Sequence, residues 1–114
     1  MRGTAEFLTI GRIGRIAEVG VTLKINIASD YPRKNEDGTW DRNTHWNTVT
    51  VFNERTIKWI KANTAPGDLI HANGRIRQSS YEKDGETIYT TDLITEEFNL
   101  LVKHEPKGDT KGDA

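Results

Sequence analysis

The fold is decided by residues 44–68, THWNTVTVFNERTIKWIKANTAPGD, in which a strand leads into a helix and then into a turn. From Thr44 to Phe52 the side chains alternate between two faces, which is the period of a β-strand with one buried side. Val49 and Val51 share one face and belong in the core. The opposite face carries aromatic residues and threonines, so the pattern predicts a half-buried strand.

A helix is predicted from Asn53 to Ala62, directly after this strand. The side-chain oxygen of Asn53 can cap the first turn, and Ile57 and Ile60 lie on a common face. Pro66-Gly67 closes the connection, because these residues favour a turn over a continued helix.

Two strands are predicted before this segment. The first runs from Phe7 to about Arg15, where Gly11 and Gly14 indicate a bend, a bulge or a close backbone approach. The second, Val21–Ala28, alternates apolar and polar residues as a half-buried strand does. The polar stretch Tyr31–Gly38, with its Pro, Asn, Asp and Gly, is predicted to be a loop.

Two further strands, Leu69–Ser80 and Thr87–Val102, are predicted after the helix. They are joined across Lys83-Asp84-Gly85, a sequence that favours a hairpin turn. The order is therefore three strands, one helix and a hairpin, which favours an all-β OB-fold, a five-stranded Greek-key barrel with a helix between strands 3 and 4. The alternative is another small barrel or sheet with a helix packed on one end. The predicted domain covers residues 1–102, and 103–114 are predicted to be a disordered tail.

Composition limits the possible functions without choosing among them. A chain of 114 residues suits one domain, and the absence of cysteine excludes disulfides and thiolate metal ligands. No apolar segment approaches the length of a membrane span, so we expect a cytoplasmic protein with no membrane contact. The formal net charge is −1, but a nucleic-acid groove needs only a local excess of Lys and Arg.

The outer face of the third strand is the first candidate binding surface. Trp46, Thr48, Thr50 and Phe52 alternate with the core valines, so two aromatic rings stand on a polar face. Exposed aromatic rings of this kind can stack on the bases of a single strand. Alternatively, the long hairpin or a partner subunit covers them.

The fourth strand repeats this arrangement. Its apolar side consists of Ile70, Ala72, Gly74 and Ile76, and its other side of Arg75, Arg77, Ser79 and Tyr81. The arginines can contact phosphates beside the tyrosine ring, and Lys24 on the second strand can extend this surface. An ordinary solvated face is the alternative for the arginines, and simple packing of the hairpin is the alternative for Tyr81. We expect Trp59 to pack against the helix surroundings, and Trp40 either to touch a ligand or to anchor its loop.

Three spaced motifs resemble the bacterial single-stranded DNA-binding protein family. Residues 44–52 are similar to the family's third strand, T-E-W-x-x-V-x-[VL]-F, and residues 66–77 to its K-G-S-x-V-x-[IV]-x-G-x-L-R. Lys83-Asp84-Gly85 followed by Tyr89-Thr90-Thr91-Asp92 resembles D-G-x-x-R-Y-T-T-E. The resemblance extends from about Phe7 to Val102. It implies an OB-fold, most often assembled as a homotetramer, that wraps single-stranded DNA.

The resemblance also assigns roles to individual residues. Trp46 and Phe52 match stacking aromatic residues, Tyr81 falls where the family has a tryptophan, and Tyr31 falls near another. The parity of Tyr31, however, matches that of the core residue Ile27. The complete predicted nucleic-acid-binding set is Trp46, Phe52, Tyr81, Arg75, Arg77, Lys24, Tyr31, Trp40, Thr48 and Lys83.

The sequence departs from the family pattern in two places. The segment from Gly14 to Val21 is shorter than usual, which leaves a dimer possible beside a tetramer. Residues 103–114 contain three lysines, one Glu and two Asp, without the family's acidic tip, so we expect no recruitment of replication proteins through such a tip.

Three functions are open at this point. The leading hypothesis is sequence-independent binding and protection of single-stranded DNA, without cofactor or metal. The alternative is a protein-interaction module of a replication-restart complex, similar to the primosomal replication protein, with weaker DNA binding. An enzyme is the least favoured, because His45, His71 and His104 lack metal-ligand spacing. Ser79-Ser80 has no evident base, and Glu96 and Glu97 point to opposite faces of a strand.

Overall fold

The computed structural model describes residues 3–105 and contains the elements in the predicted order. They are β1 (Glu6–Val19), β2 (Thr22–Lys34), β3 (Trp40–Val51), α1 (Glu54–Asn63), β4 (Leu69–Lys83) and β5 (Glu86–Val102). The strands form a closed barrel in the order β1-β2-β3-β5-β4. Every neighbouring pair is antiparallel except β3 and β5, which are parallel. The predicted OB-fold is confirmed.

The core fills the inside of this barrel with aliphatic side chains. On β2, Leu23, Ile25 and Ile27 are fully buried, and on β3 so are Val49 and Val51, as their alternation predicts. Burial of each such side chain contributes about 1.5–3 kcal/mol. The remaining buried apolar residues come from the other elements and are Ile13, Ile60, Ile70, Ala72, Ile94 and Phe98.

A β-bulge at Gly14 changes which side chains of β1 face the core. The pairing of β1 with β2 shifts between Ile13 and Arg15, so Ile13 faces the core while Arg15 lies on the outer face, opposite Asn26. Gly11 approaches β2 so closely that a Cβ atom there would overlap the carbonyl oxygen of Ala28. Both glycines therefore have the roles that the sequence indicates.

A second irregularity lies between Asn73 and Gly74, where β4 and β5 change register. The prediction that Ile76 belongs to the core side of β4 is wrong, because its side chain is 40% exposed. The physical reason is that β1 pairs with β4 only as far as Arg75. Beyond that point the β4–β5 hairpin extends past the barrel and has no strand to cover it.

The predicted loop at Tyr31–Gly38 is only partly a loop. Tyr31–Lys34 continue β2 and pair with β3, down to Lys34 opposite Trp40, so the turn is confined to 35–39. Pro32 is tolerated there because this hairpin extends past β1 and has a solvent-facing edge. The β4–β5 turn is the predicted one: Asp84 and Gly85 both have positive φ, 52° and 81°, as a type I′ turn requires.

Helix α1 closes the connection between β3 and β4. The side chain of Asn53 accepts a hydrogen bond from the backbone N–H of Thr56 at 3.0 Å, which confirms the predicted N-cap. Ile60 is fully buried and Ile57 packs against the core.

The loop after α1 is tied to the end of β5 by a buried carboxylate. Asp68, 1% exposed, accepts hydrogen bonds from the backbone N–H groups of Ala65 and His104 and from Lys103 Nζ. The three distances are 3.0, 2.8 and 2.9 Å. Residues 103 and 104 of the predicted tail are thus held against the barrel, and 106–114 lie outside the described residues.

Candidate nucleic-acid interface

The best-formed aromatic surface surrounds Trp46 on the outer face of β3. The side chain is 56% exposed, and its six-membered ring lies against Gly14, where a Cβ atom would overlap ring carbons Cζ3 and Cη2. Asn26 lies on the same side of β2, next to this position. The glycine of the β1 bulge therefore provides the space that the ring occupies.

Polar and basic side chains continue this surface, which we call the Trp46 platform. Lys24 Nζ donates to Thr50 Oγ1 at 3.0 Å, and Asn26 Nδ2 approaches Thr48 Oγ1 at 3.4 Å. A shallow cleft of about 320 Å³ lies among these residues. The members of the platform are Trp46, Arg15, Lys24, Asn26 and Thr48.

Thr50 and Phe52, both predicted for the outer face of β3, differ in how exposed they are. Thr50 lies on the predicted outer face, where the Lys24 side chain donates a hydrogen bond to it, but it is only 5% exposed. Phe52 lies one residue beyond the end of β3, directly before the helix cap, and is 48% exposed. Its ring is accessible to a ligand.

The arginines of β4 are accessible, but each has an acidic neighbour on β5. Arg77 approaches Asp92 at 3.3 Å, and Arg75 approaches Glu96 at 3.9 Å. Ser79 donates to the same carboxylate oxygen of Asp92 at 2.8 Å. Their positive charge is therefore partly neutralised in the free protein.

Asp92 joins the faces of three strands. The hydrogen bond from Ser79 lowers the pKa of Asp92 most, partial burial opposes it, and Arg77 and the charge of Lys24 lower it further. The net result is a pKa below the ordinary value of 3.8. The Asp92 carboxylate therefore binds Arg77 and Ser79 of β4 directly and is also influenced by the charge of Lys24 on β2.

The β2–β3 hairpin carries two further predicted aromatic residues, Trp40 and Tyr31, on opposite faces. Trp40 is 65% exposed and has the parity of Trp46, with Lys34 Nζ 6.0 Å from its ring centroid. Tyr31 has the parity of Ile27 and makes an edge-on contact with His45, with centroids 5.3 Å apart. A shallow cleft between the two faces is lined by Tyr31, His45, Trp46 and Asn47.

The β4–β5 hairpin also presents aromatic rings on both sides. Tyr81, 51% exposed, has the parity of Arg77 and Ser79, and Lys83 is exposed at the end of the strand. Tyr89 is 67% exposed on the opposite face, across from Ser80. Tyr89 was predicted only as part of a motif, although its alternation with Ile88 and Thr90 indicates that it faces outward.

Arg15 is the main platform residue that sequence analysis missed. The side of β1 on which Arg15 lies depends on the one-residue shift at Gly14. The sequence indicates a bulge there, but it does not show how β1 and β2 pair on either side of it. Within residues 3–105 no group of three or more His, Asp or Glu side chains is placed to hold a metal ion. None of the helices among these residues has the length and apolar character needed to cross a membrane.

The chain is similar to known proteins both in sequence and in structure. Residues 6–101 match the model of the Single-strand binding protein family. The mitochondrial single-stranded DNA-binding protein RIM1 of Saccharomyces cerevisiae is 31% identical over 91 residues, which covers 79% of this chain and 62% of that protein. The single-stranded DNA-binding protein of Xanthomonas axonopodis pv. citri is 24% identical over 110 residues, covering 88% and 59%. The chain thus spans about three-fifths of the length of these curated relatives.

Solved structures of such proteins have the same fold. The crystal structure of S. cerevisiae Rim1 superposes with a TM-score of 0.69 at 28% identity, covering 90% of this chain and 100% of that one. The Plasmodium falciparum SSB in complex with ssDNA gives a TM-score of 0.72 at 14% identity, covering 89% and 97%.

Proposed function

Because the chain belongs to the single-strand binding protein family, we propose that it binds single-stranded DNA without sequence preference and protects it in replication, recombination or repair. The observation that carries this proposal is the Trp46 platform, where a half-exposed indole ring lies against Gly14 and Asn26, and Asn26 in turn lines a cleft with Lys24 and Arg15. A flat aromatic ring beside cations suits a ligand with bases on one side and phosphates on the other.

Binding on this surface would combine stacking with neutralisation of phosphates. A base stacked on Trp46 contributes about 1–3 kcal/mol, whatever its identity, because every base has a π-face. Lys24 and Arg15 would contact phosphates, and Arg75 and Arg77 would do so after exchanging their carboxylate partners for the strand. Phosphate contacts release counterions, so affinity should fall as salt rises.

The other predicted residues extend the surface along the two hairpins. Phe52 and Tyr81 are proposed as further stacking rings, and Thr48 as a polar contact beside Trp46. Trp40 has the same strand parity as Trp46. Lys83 lies at the tip of the β4–β5 hairpin. Tyr31, on the other face, would act only on a strand that passes around the β2–β3 hairpin. Binding by stacking and charge needs no catalytic group, and we propose no enzymatic activity.

A second copy of the chain is the proposed partner for β1. Residues 6–11 of β1 pair with β4 alone. The Ser29 hydroxyl donates a hydrogen bond to the Ile10 carbonyl, so the open edge of β1 consists of Glu6–Thr9. Leu8 and Ile10 are 66% and 50% exposed on the outer face of this strand. An apolar strand with an open edge favours pairing with the same strand of a second copy about a two-fold axis.

The interaction-module hypothesis is supported by one observation. Arg75 and Arg77 already have acidic partners, so the arginine row attracts phosphates less than its composition suggests. If DNA binding is weak, the exposed aromatic rings would instead contact a partner protein. The two functions differ in whether polythymidine saturates the protein.

Tryptophan fluorescence during titration with long polythymidine tests the proposal. We expect saturable quenching that favours single strands over duplex DNA and weakens at high salt. Trp46→Ala should reduce affinity about 5- to 150-fold, since it removes about 1–3 kcal/mol of stacking. Val21→Ala, at an 89% exposed position in the β1–β2 turn, is the matched control and should bind as the parent does. A flat titration of the parent would reject DNA binding in favour of the interaction module.

A further inference from the structure

Helix α1 carries an exposed basic and aromatic face that the Trp46 platform does not include. Arg55, Lys58 and Trp59 lie within about 100° of one another around the helix axis, opposite the side of Ile57 and Ile60 that packs on the core. Arg55 and Lys58 are exposed, and Trp59 is 40% exposed. We call these three residues the basic helix face.

The charge of this face is not neutralised. The helix contains three cations, Arg55, Lys58 and Lys61, against one carboxylate, Glu54, in a chain whose formal net charge is −1. Lys61 pairs with Glu18 at 2.9 Å, whereas Arg55 and Lys58 make no ion pair within residues 3–105. They are therefore freer to contact phosphates than the paired arginines of β4.

The exposed ring next to these cations is the second observation. Trp59 was predicted to be a packing residue, yet it is 40% exposed and lies on the same helix face as two cations that make no ion pair within residues 3–105. A planar ring with neighbouring cations is the combination that holds a base and its phosphate, as on the Trp46 platform.

The position of the helix connects this face to the proposed interface. Phe52 ends the aromatic series of β3, Asn53 caps the helix, and Arg55 follows in its first turn. From the Cα of Arg55 to that of Trp59 the helix rises only about 6 Å. Arg55 therefore follows Phe52 by only three residues along the chain, so the basic helix face begins where the aromatic series of β3 ends.

We propose that the basic helix face is a second contact site for the same single strand, which extends the footprint of one protomer from the platform past Phe52 onto α1. The inference rests on the proposed function. The occupant is the continuing single strand, because charge complementarity and continuity with the platform favour a polyanion that carries bases.

A length series separates the two sites. Thymidine oligonucleotides of about 8 nucleotides fit one barrel face, and strands of about 40 nucleotides can continue onto the helix. For the Arg55→Ala/Lys58→Ala double variant we expect parent affinity for the short strand. On the long strand we expect about three- to tenfold weaker binding, fewer occluded nucleotides per protomer, and a salt slope shallower by about 1.4, at about 0.7 per lost phosphate contact.

Two further variants complete the experiment. Lys61→Ala removes one positive charge from the same helix, but from the side that pairs with Glu18, and should leave binding to both strands unaffected. Trp59→Phe should remove the extra quenching that long strands cause and short strands do not. Thermal unfolding checks that every variant is folded.

The possible outcomes distinguish this proposal from the one on which it rests. If the parent binds neither strand, the proposed function itself fails. If the parent binds both and the double variant matches it at every length, the strand does not reach α1 and the inference is overturned. A loss confined to the long strand supports it.

Discussion

At the scale of single residues, Asp92 is the side chain that most limits the positive charge of the proposed interface. Its carboxylate holds Arg77 and Ser79 and lies within the electrostatic reach of Lys24. Because these contacts keep its pKa below 3.8, the carboxylate stays charged at every pH at which the protein would act. A strand must compete with it for the same cations.

Replacing Asp92 by Asn should therefore strengthen binding. One exposed charge interaction is worth about 0.2–1 kcal/mol, so we expect affinity for polythymidine to rise about 1.4- to 5-fold at low salt. The gain should shrink as salt screens the charges. Glu97→Gln, which removes the same charge beside Asn73 on another part of β5, is the control and should change affinity less. Unchanged or weaker binding by Asp92→Asn would show that the strand does not use these cations.

At the scale of elements, the anchor formed by Asp68 joins the loop after α1 to the end of β5. Burial by itself raises the pKa of Asp68, but hydrogen bonds from His104 N–H, Lys103 and Ala65 N–H, with the charge of Lys103, outweigh it and lower the pKa. A depressed pKa in the folded state means that the carboxylate stabilises the fold above pH 3.8. That stabilisation is lost as pH falls through the folded-state pKa.

Asp68→Asn should accordingly destabilise the protein near neutral pH and flatten its acid response. Loss of hydrogen bonds to a charged acceptor costs about 1.5–3 kcal/mol in the free energy of unfolding. Denaturant titrations at pH 7 and between about pH 3 and 4 measure both effects. Asp41→Asn, at an exposed position of β3, should leave stability within about 0.5 kcal/mol. If the acid dependence of the variant equals that of the parent, the anchor does not contribute as described.

Some features of the secondary structure could be predicted from sequence patterns and others could not. The Asn53 cap, the Asp84-Gly85 turn and the buried valines of β3 were predictable, because each depends on local backbone chemistry or simple alternation. The strand at Tyr31–Lys34 was not, because a two-stranded hairpin open to water on both faces tolerates the polar composition of a loop. Ile76 was misplaced because alternation does not reveal where the neighbouring strand ends.

At the scale of the whole molecule, the order of elements was enough to predict the closed barrel, but not which outer faces meet. Arg77 and Asp92 come from β4 and β5, and their ion pair depends on the register of these strands, which shifts between Asn73 and Gly74. The same holds for Arg15, which faces the platform only because of the bulge at Gly14. Alternation along the sequence therefore predicted the outward residues of each strand separately. Which of these residues lie together on one surface could be seen only in the folded structure.

The open edge of β1 also depends on the whole barrel. It exists because the β2–β3 hairpin diverges from β1 beyond the pair Arg12–Ala28. A cleft of about 480 Å³ runs along that edge between Phe7–Ile10 and the root of the hairpin at Ser29 and Tyr31. The cleft gives an incoming strand access to the unpaired backbone. Pairing of two copies there would bury Leu8 and Ile10 and extend the sheet across both barrels.

A charged residue on this strand should abolish the assembly. We expect the parent to sediment as a dimer or larger oligomer at micromolar concentration, and Leu8→Glu/Ile10→Glu to sediment as a monomer, because carboxylates would be buried against an apolar partner. Val21→Glu, which puts one carboxylate on a more exposed apolar position in the β1–β2 turn, should leave the oligomer intact. A monomeric parent would refute pairing through β1. An oligomer that survives the double substitution would place the subunit contact elsewhere. Since the Trp46 platform lies on the part of the barrel beyond this edge, the monomeric variant should still quench its fluorescence on a short thymidine strand, with cooperativity on long strands reduced.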